Sequence, residues 1–93
     1  MPDDTITIDE GISAVLRERI VVAPARGRYV PLDDATAPAP GEWVEAGDVV
    51  GEIASERGPV PVRSPFSGWL MGVLALRGQP VAVGDALMWI DAA

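Results

Sequence analysis

One pattern occurs twice in this chain, and it limits what the chain can fold into. Val22-Ala23-Pro24-Ala25-Arg26-Gly27 leads to Gly41-Glu42-Trp43-Val44-Glu45-Ala46-Gly47-Asp48, and Arg63-Ser64-Pro65-Phe66-Ser67-Gly68 leads to Gly78-Gln79-Pro80-Val81-Ala82-Val83-Gly84-Asp85. Each half reads Pro-x-x-Gly, a short apolar stretch, Gly-x-x-Val-x-x-Gly-Asp and a closing apolar run. The Gly-Asp elements are offset by 37 residues (47 to 84) and the Pro-x-x-Gly elements by 41 (24 to 65), the second half having the shorter loop in place of Asp33 to Pro40. Such spacing marks one supersecondary unit used twice. Two copies are too few for a solenoid, so the halves are expected to pack face to face as a pseudo-symmetric sandwich or barrel.

The punctuation fits short strands and tight turns. Gly47 and Gly84 suit turns that need φ > 0, and Pro24 and Pro65 fix strand entry. Aligning the halves pairs Tyr29 with Leu70, Leu32 with Val73, Val44 with Val81, Val50 with Leu87 and Ile53 with Ile90. These are the predicted core. The chain divides into an extension, residues 1–20, and an all-β domain, residues 21–93. In the extension, Thr5 to Ile8 alternates like a strand. Ile12, Val15, Leu16 and Arg19 fall at helical spacing after Asp9, which predicts a short helix covering the domain.

Composition then excludes chemistry. With 93 residues, nearly half of them hydrophobic, one small domain with a core is implied. A formal charge of −7 disfavours nucleic acid and anionic membranes as partners. No apolar run is long enough to span a bilayer, and Met1 to Glu10 does not resemble a signal peptide, so a cytoplasmic location is expected. Histidine and cysteine are both absent, which removes the usual general base, the thiol nucleophile and the soft metal ligands. Asp33-Asp34, Glu42, Glu45 and Asp48 read as solvated turn acids, and Ser55, Ser64 and Ser67 lack a partner base. No catalytic residue, no metal and no cofactor is expected; an enzyme or small-molecule binder reusing the barrel remains the alternative.

Lysine is absent as well: all seven basic residues are arginines, at 17, 19, 26, 28, 57, 63 and 77. Genome-wide base composition can favour arginine in general. It does not account for one position in particular.

That position emerges from a resemblance. Gly41-x-x-Val44-x-x-Gly47-Asp48, Ser64-Pro65-x-x-Gly68 and Gly78-x-x-Val81-x-x-Gly84-Asp85-x-Leu87, in this order, resemble the biotinyl/lipoyl carrier family (biotin carboxyl carrier protein-like) over about Val21 to Asp91. The resemblance implies a flattened β-barrel of two four-stranded sheets related by a quasi-twofold axis. It also implies a hairpin tip whose lysine carries the prosthetic group, eight residues before the proline matched by Pro65. In this chain that residue is Arg57, within Ala54-Ser55-Glu56-Arg57-Gly58. Attachment needs an amine that loses its proton and attacks an acyl-adenylate, whereas guanidinium, with a pKa above about 12, keeps its proton. A degenerate, unmodified member of the family is expected, acting as a binding or accessory module.

The partner is then expected to be a protein, in a carboxylase-like or biosynthetic assembly, with self-association also open. Candidate contact residues are Arg57, flanked by Glu56 and Gly58, and the tryptophans. Trp43 aligns with Pro80, Trp69 with Arg28 and Trp89 with Glu52, positions whose mates are polar or turn-like. All three are expected to face outward, where tryptophan is enriched at binding hot spots. A third option, a fragment of a membrane-complex adaptor, fits poorly because those chains insert long helices at the hairpin.

Overall fold

The computed structural model describes residues 5–8, 12–15, 17–33 and 37–92. The strands are β1 (Thr5–Ile8), β2 (Ile12–Val15), β3 (Glu18–Val22), β4 (Gly27–Val30), β5 (Trp43–Val44), β6 (Val49–Ser55), β7 (Gly58–Arg63), β8 (Gly68–Val73), β9 (Pro80–Val81) and β10 (Ala86–Ala92). Two four-stranded sheets form, in the orders β3-β10-β8-β5 and β7-β6-β4-β9, and β1 and β2 form a two-stranded sheet. All pairings are antiparallel. The repeat maps one sheet onto the other, β3 to β7, β10 to β6, β8 to β4 and β5 to β9.

The twofold extends to individual hydrogen bonds. Gly47 N donates to Ser64 O (2.6 Å) while Ser64 N returns to Asp48 O (2.9 Å); in the mate, Gly84 N donates to Ala23 O (2.9 Å) and Ala23 N to Asp85 O (2.8 Å). Gly41 N bonds Leu70 O (2.7 Å) and Gly78 N bonds Tyr29 O (2.8 Å). Each half thus satisfies the turn of the other, so neither can close alone. Within the turns, the carboxylate of Asp48 accepts from Glu45 N at 3.0 Å and that of Asp85 from Ala82 N at 2.8 Å. Gly47 and Gly84 sit at φ 95° and 91°, where a side chain would strain the backbone.

The space between the sheets is filled by paired side chains. Val21 and Val62, Tyr29 and Leu70, Val44 and Val81, Val50 and Leu87, and Ile53 and Ile90 are all buried. Matching register shifts, at Val49/Gly51 in β6 and Ala86/Met88 in β10, turn two consecutive residues inward in each half, Val50 with Gly51 and Leu87 with Met88. Ser64 replaces its mate Ala23 in the core; its hydroxyl donates to Phe66 O (2.6 Å) and accepts from Phe66 N (3.2 Å), so the buried oxygen is satisfied.

Two expectations are corrected. Leu32 and Val73 are not a core pair: Val73 is 46% exposed and Leu32, beyond the end of β4, is half-buried. Val73 stands three residues beyond Leu70, as Leu32 does beyond Tyr29, an odd step that strand alternation places on the opposite face. A bulge between Trp89 and Ile90 leaves Met71 without an opposite residue, and β8 buries no side chain after Leu70. The predicted helix is also absent. Ile12 to Val15 forms β2, and Glu18 to Val22 is the edge strand β3, paired along β10. Ile12, Val15, Ile20, Val21 and Val22 are β-branched, which favours a pleated strand over a short helix. Asp9 and Leu16 lie outside the described residues.

Candidate functional site

The β6–β7 hairpin is the longest pairing of its sheet and ends in a two-residue turn. Ser55 pairs with Gly58, leaving Glu56 and Arg57 as the turn residues, both exposed. Gly58 takes φ 111°, a left-handed value that glycine meets without a Cβ penalty. The Ser55 hydroxyl donates to Gly58 O at 2.6 Å and accepts from Arg57 N at 3.3 Å, which ties the turn together from inside. Pro59 and Pro61 alternate along edge strand β7 and offer no N–H to a further strand. The Arg57 backbone is therefore held while its guanidinium reaches into solvent.

At this end of the barrel the β4–β6 register sets Arg28 opposite Ala54, and Arg28 also pairs with Pro80 on β9. A groove of about 880 Å³, half open to solvent, runs between the 24–28 segment and the tip, with Arg26, Arg28 and Arg57 among its lining. Its floor includes Ala25 and Val60, which pack on the core, and buried Val81. The Arg28 guanidinium donates to Gly78 O at 2.9 Å. Arg26 and Arg28 were not singled out from the sequence. The signal that would have found them is the pairing of β4 with β6, a non-local feature.

The tryptophans lie on the outer face of the other sheet. Trp43 and Trp69 are directly opposite on β5 and β8, with ring centroids 5.0 Å apart and planes at 81°, an edge-to-face pair. They are 39% and 48% exposed, and the Trp43 indole N–H donates to the Glu45 carboxylate. Trp89 is half-buried. It lies between Ile20 on β3 and Gly72 on β8, its indole so close to Gly72 that a Cβ there would fall 2.9 Å from Nε1. The structure thus joins two tryptophans and leaves the third one row away; Arg57 belongs to the opposite end.

The remaining polar candidates have structural partners. Asp48 caps its turn, Glu42 accepts from Ala39 N, and Ser67 donates to Glu45 and accepts from Ala46 N. Burial pushes the Tyr29 phenol above its ordinary pKa, with Arg77 nearby opposing the shift. Among the described residues, no three metal-ligating side chains gather.

Comparison with known proteins agrees with this architecture. The family profile described as "Biotin-requiring enzyme" matches residues 20–90. A dihydrolipoyllysine-residue acetyltransferase component of the pyruvate dehydrogenase complex from Staphylococcus epidermidis is 36% identical over 52 residues, which are 56% of this chain and 12% of that protein. The Kluyveromyces lactis urea carboxylase structure superposes with a TM-score of 0.66 and 28% identity, covering 78% of this chain and 6% of that one. A single-chain, multi-domain long-chain acyl-CoA carboxylase gives a TM-score of 0.69 at 21% identity, over 83% of this chain and 7% of that one, and shows the fold alone. The chain therefore spans a small fraction of each of these proteins.

Proposed function

The chain belongs to the biotinyl/lipoyl domain family, and from that premise we propose that it acts unmodified, as a non-enzymatic binding or accessory module in a carboxylase-like or biosynthetic assembly. One observation supports this most: Arg57 occupies the hairpin turn and the whole sequence contains no lysine. Amide formation on a carrier joins an amine nitrogen to the acyl carbon, releases AMP and frees a proton. A guanidinium holds its proton and delocalises its lone pairs, so that step has no nucleophile here. By name, the similar proteins include a urea carboxylase and the acetyltransferase component of a pyruvate dehydrogenase complex, which favours a protein partner of that kind. The two surfaces offered to it are the Arg57 tip and the exposed Trp43–Trp69 pair.

Intact-mass spectrometry after co-expression with biotin and lipoate ligases tests the reading. The wild-type mass is expected to stay unchanged, with Arg57→Lys as the comparison that reports whether the tip can be read at all. An adduct on the wild-type chain would overturn the proposal.

A further inference from the structure

The internal twofold supplies a control for the groove beside the tip. Arg26 and Arg28 correspond in the other half to Ser67 and Trp69, and Ala54 corresponds to Asp91. The scaffold therefore holds the same turns and pairings without cations at these places. Their presence is a property of this end, not a requirement of the fold.

The three arginines also converge against the trend of the chain, which has 14 acidic residues and 7 basic ones. Arg28 and Arg26 flank Gly27, and Gly27 has no room for a side chain: a Cβ would lie 2.2 Å from Ala54 O. That close approach draws the 26–28 segment against the base of the tip that bears Arg57. Among the described residues, Arg26 and the guanidinium of Arg57 have no carboxylate partner, and Glu56 is the one acid in the lining. Like charges at close range repel unless an anion joins them, and guanidinium is the side chain best matched to carboxylate.

Resting on the reading of the chain as an unmodified binding module, we propose that this groove binds an acidic polypeptide segment carrying one large apolar side chain. The carboxylates engage Arg26, Arg28 and Arg57, and the apolar group sits on Ala25, Val60 and Val81. A nucleic acid fits less well, because no aromatic ring lines the groove for base stacking. The half-open shape suits a chain passing through it better than an enclosed small molecule.

The test is fluorescence anisotropy with the full chain and a short fluorescein-labelled peptide of alternating Glu and Asp around a central Leu, against the same peptide with Gln and Asn. The acidic peptide is expected to bind, to weaken as salt rises, and to lose about tenfold in affinity with Arg26→Gln/Arg57→Gln. Arg17→Gln, an exposed arginine beside the far end of β10, should leave it within about twofold, and circular dichroism checks that each variant is folded. Equal affinity for the neutral peptide, no binding, or no change in the double arginine variant overturns the groove assignment. Full displacement by inorganic phosphate at matched anion concentration also overturns it, in favour of a small-anion site. These failures are separable from failure of the unmodified reading, which would appear as a mass adduct and leave peptide binding untouched.

Discussion

The two outer faces of the barrel are built on the same bonds and present opposite chemistry. On one sheet, Arg28 lies between Ala54 and Pro80; on the other, at the equivalent place, Trp69 lies between Asp91 and Trp43. Backbone geometry beneath them matches closely. A Cβ on Gly27 would meet Ala54 O at 2.2 Å and Ile53 Cγ2 at 2.8 Å; on Gly68 it would meet Asp91 O at 2.2 Å and Ile90 Cγ2 at 2.7 Å. Fold information thus resides in the inward and turn positions that the halves share. The outward positions are released from that duty, and there the halves diverge into a cationic end and an aromatic, acidic end.

The largest effect should come from the shared part. Gly27→Ala and Gly68→Ala each force a methyl into backbone, and each is expected to cost about 3 kcal/mol or more in urea unfolding. Comparable losses sustain the equivalence; a tolerant Gly68 beside an intolerant Gly27 would break it. A smaller effect should mark the divergent part. Trp69→Ala removes an edge-to-face contact and is expected to cost about 1 kcal/mol, whereas Arg28→Ala on the matching site should fall within about 0.5 kcal/mol. Equal costs would mean that Arg28 supports the fold, and the contrast between faces would fail.

The smallest effect separates a single core pair and is absent at neutral pH. Tyr29 has a raised pKa from burial, partly opposed by Arg77, while its mate Leu70 does not titrate. Folding favours the protonated phenol, so its contribution is full below the ordinary value of 10.0 and is lost as pH rises through the higher folded value. Unfolding midpoints should hold steady up to about pH 10, then fall until the pH passes the higher folded value, and Tyr29→Phe should flatten this part of the fall.

The repeat made most of the barrel legible, because a position apolar in both halves has few places to go except the shared interior. Ile53 and Ile90 are the clearest instance, both with no exposed surface. Val73 escaped because matching apolar residues between the halves ignored strand parity: Val73 and Leu32 stand three residues beyond Leu70 and Tyr29, an odd step that puts them on the other face. The stretch from Ile12 escaped because its apolar residues satisfy both periods, and β-branching was the better guide. Arg57 could be reached by counting from Pro65, since hairpin length is local. The Trp43–Trp69 contact and the gathering of Arg26 and Arg28 beside Arg57 depend on which strands pair and in what register, information spread over distant parts of the chain.

One pairing has a mechanical side. β3 and β10 run antiparallel with Glu18 opposite Asp91, and Ala92 N bonds Arg17 O at 2.8 Å. Residues 17 and 92 therefore leave the barrel at the same end, away from the hairpin turn. A pull across them loads the ladder at its last rung, then the next, one bond at a time. The domain would peel open under small forces, in the manner of a zipper, well before the interlocked turns of its middle were stressed.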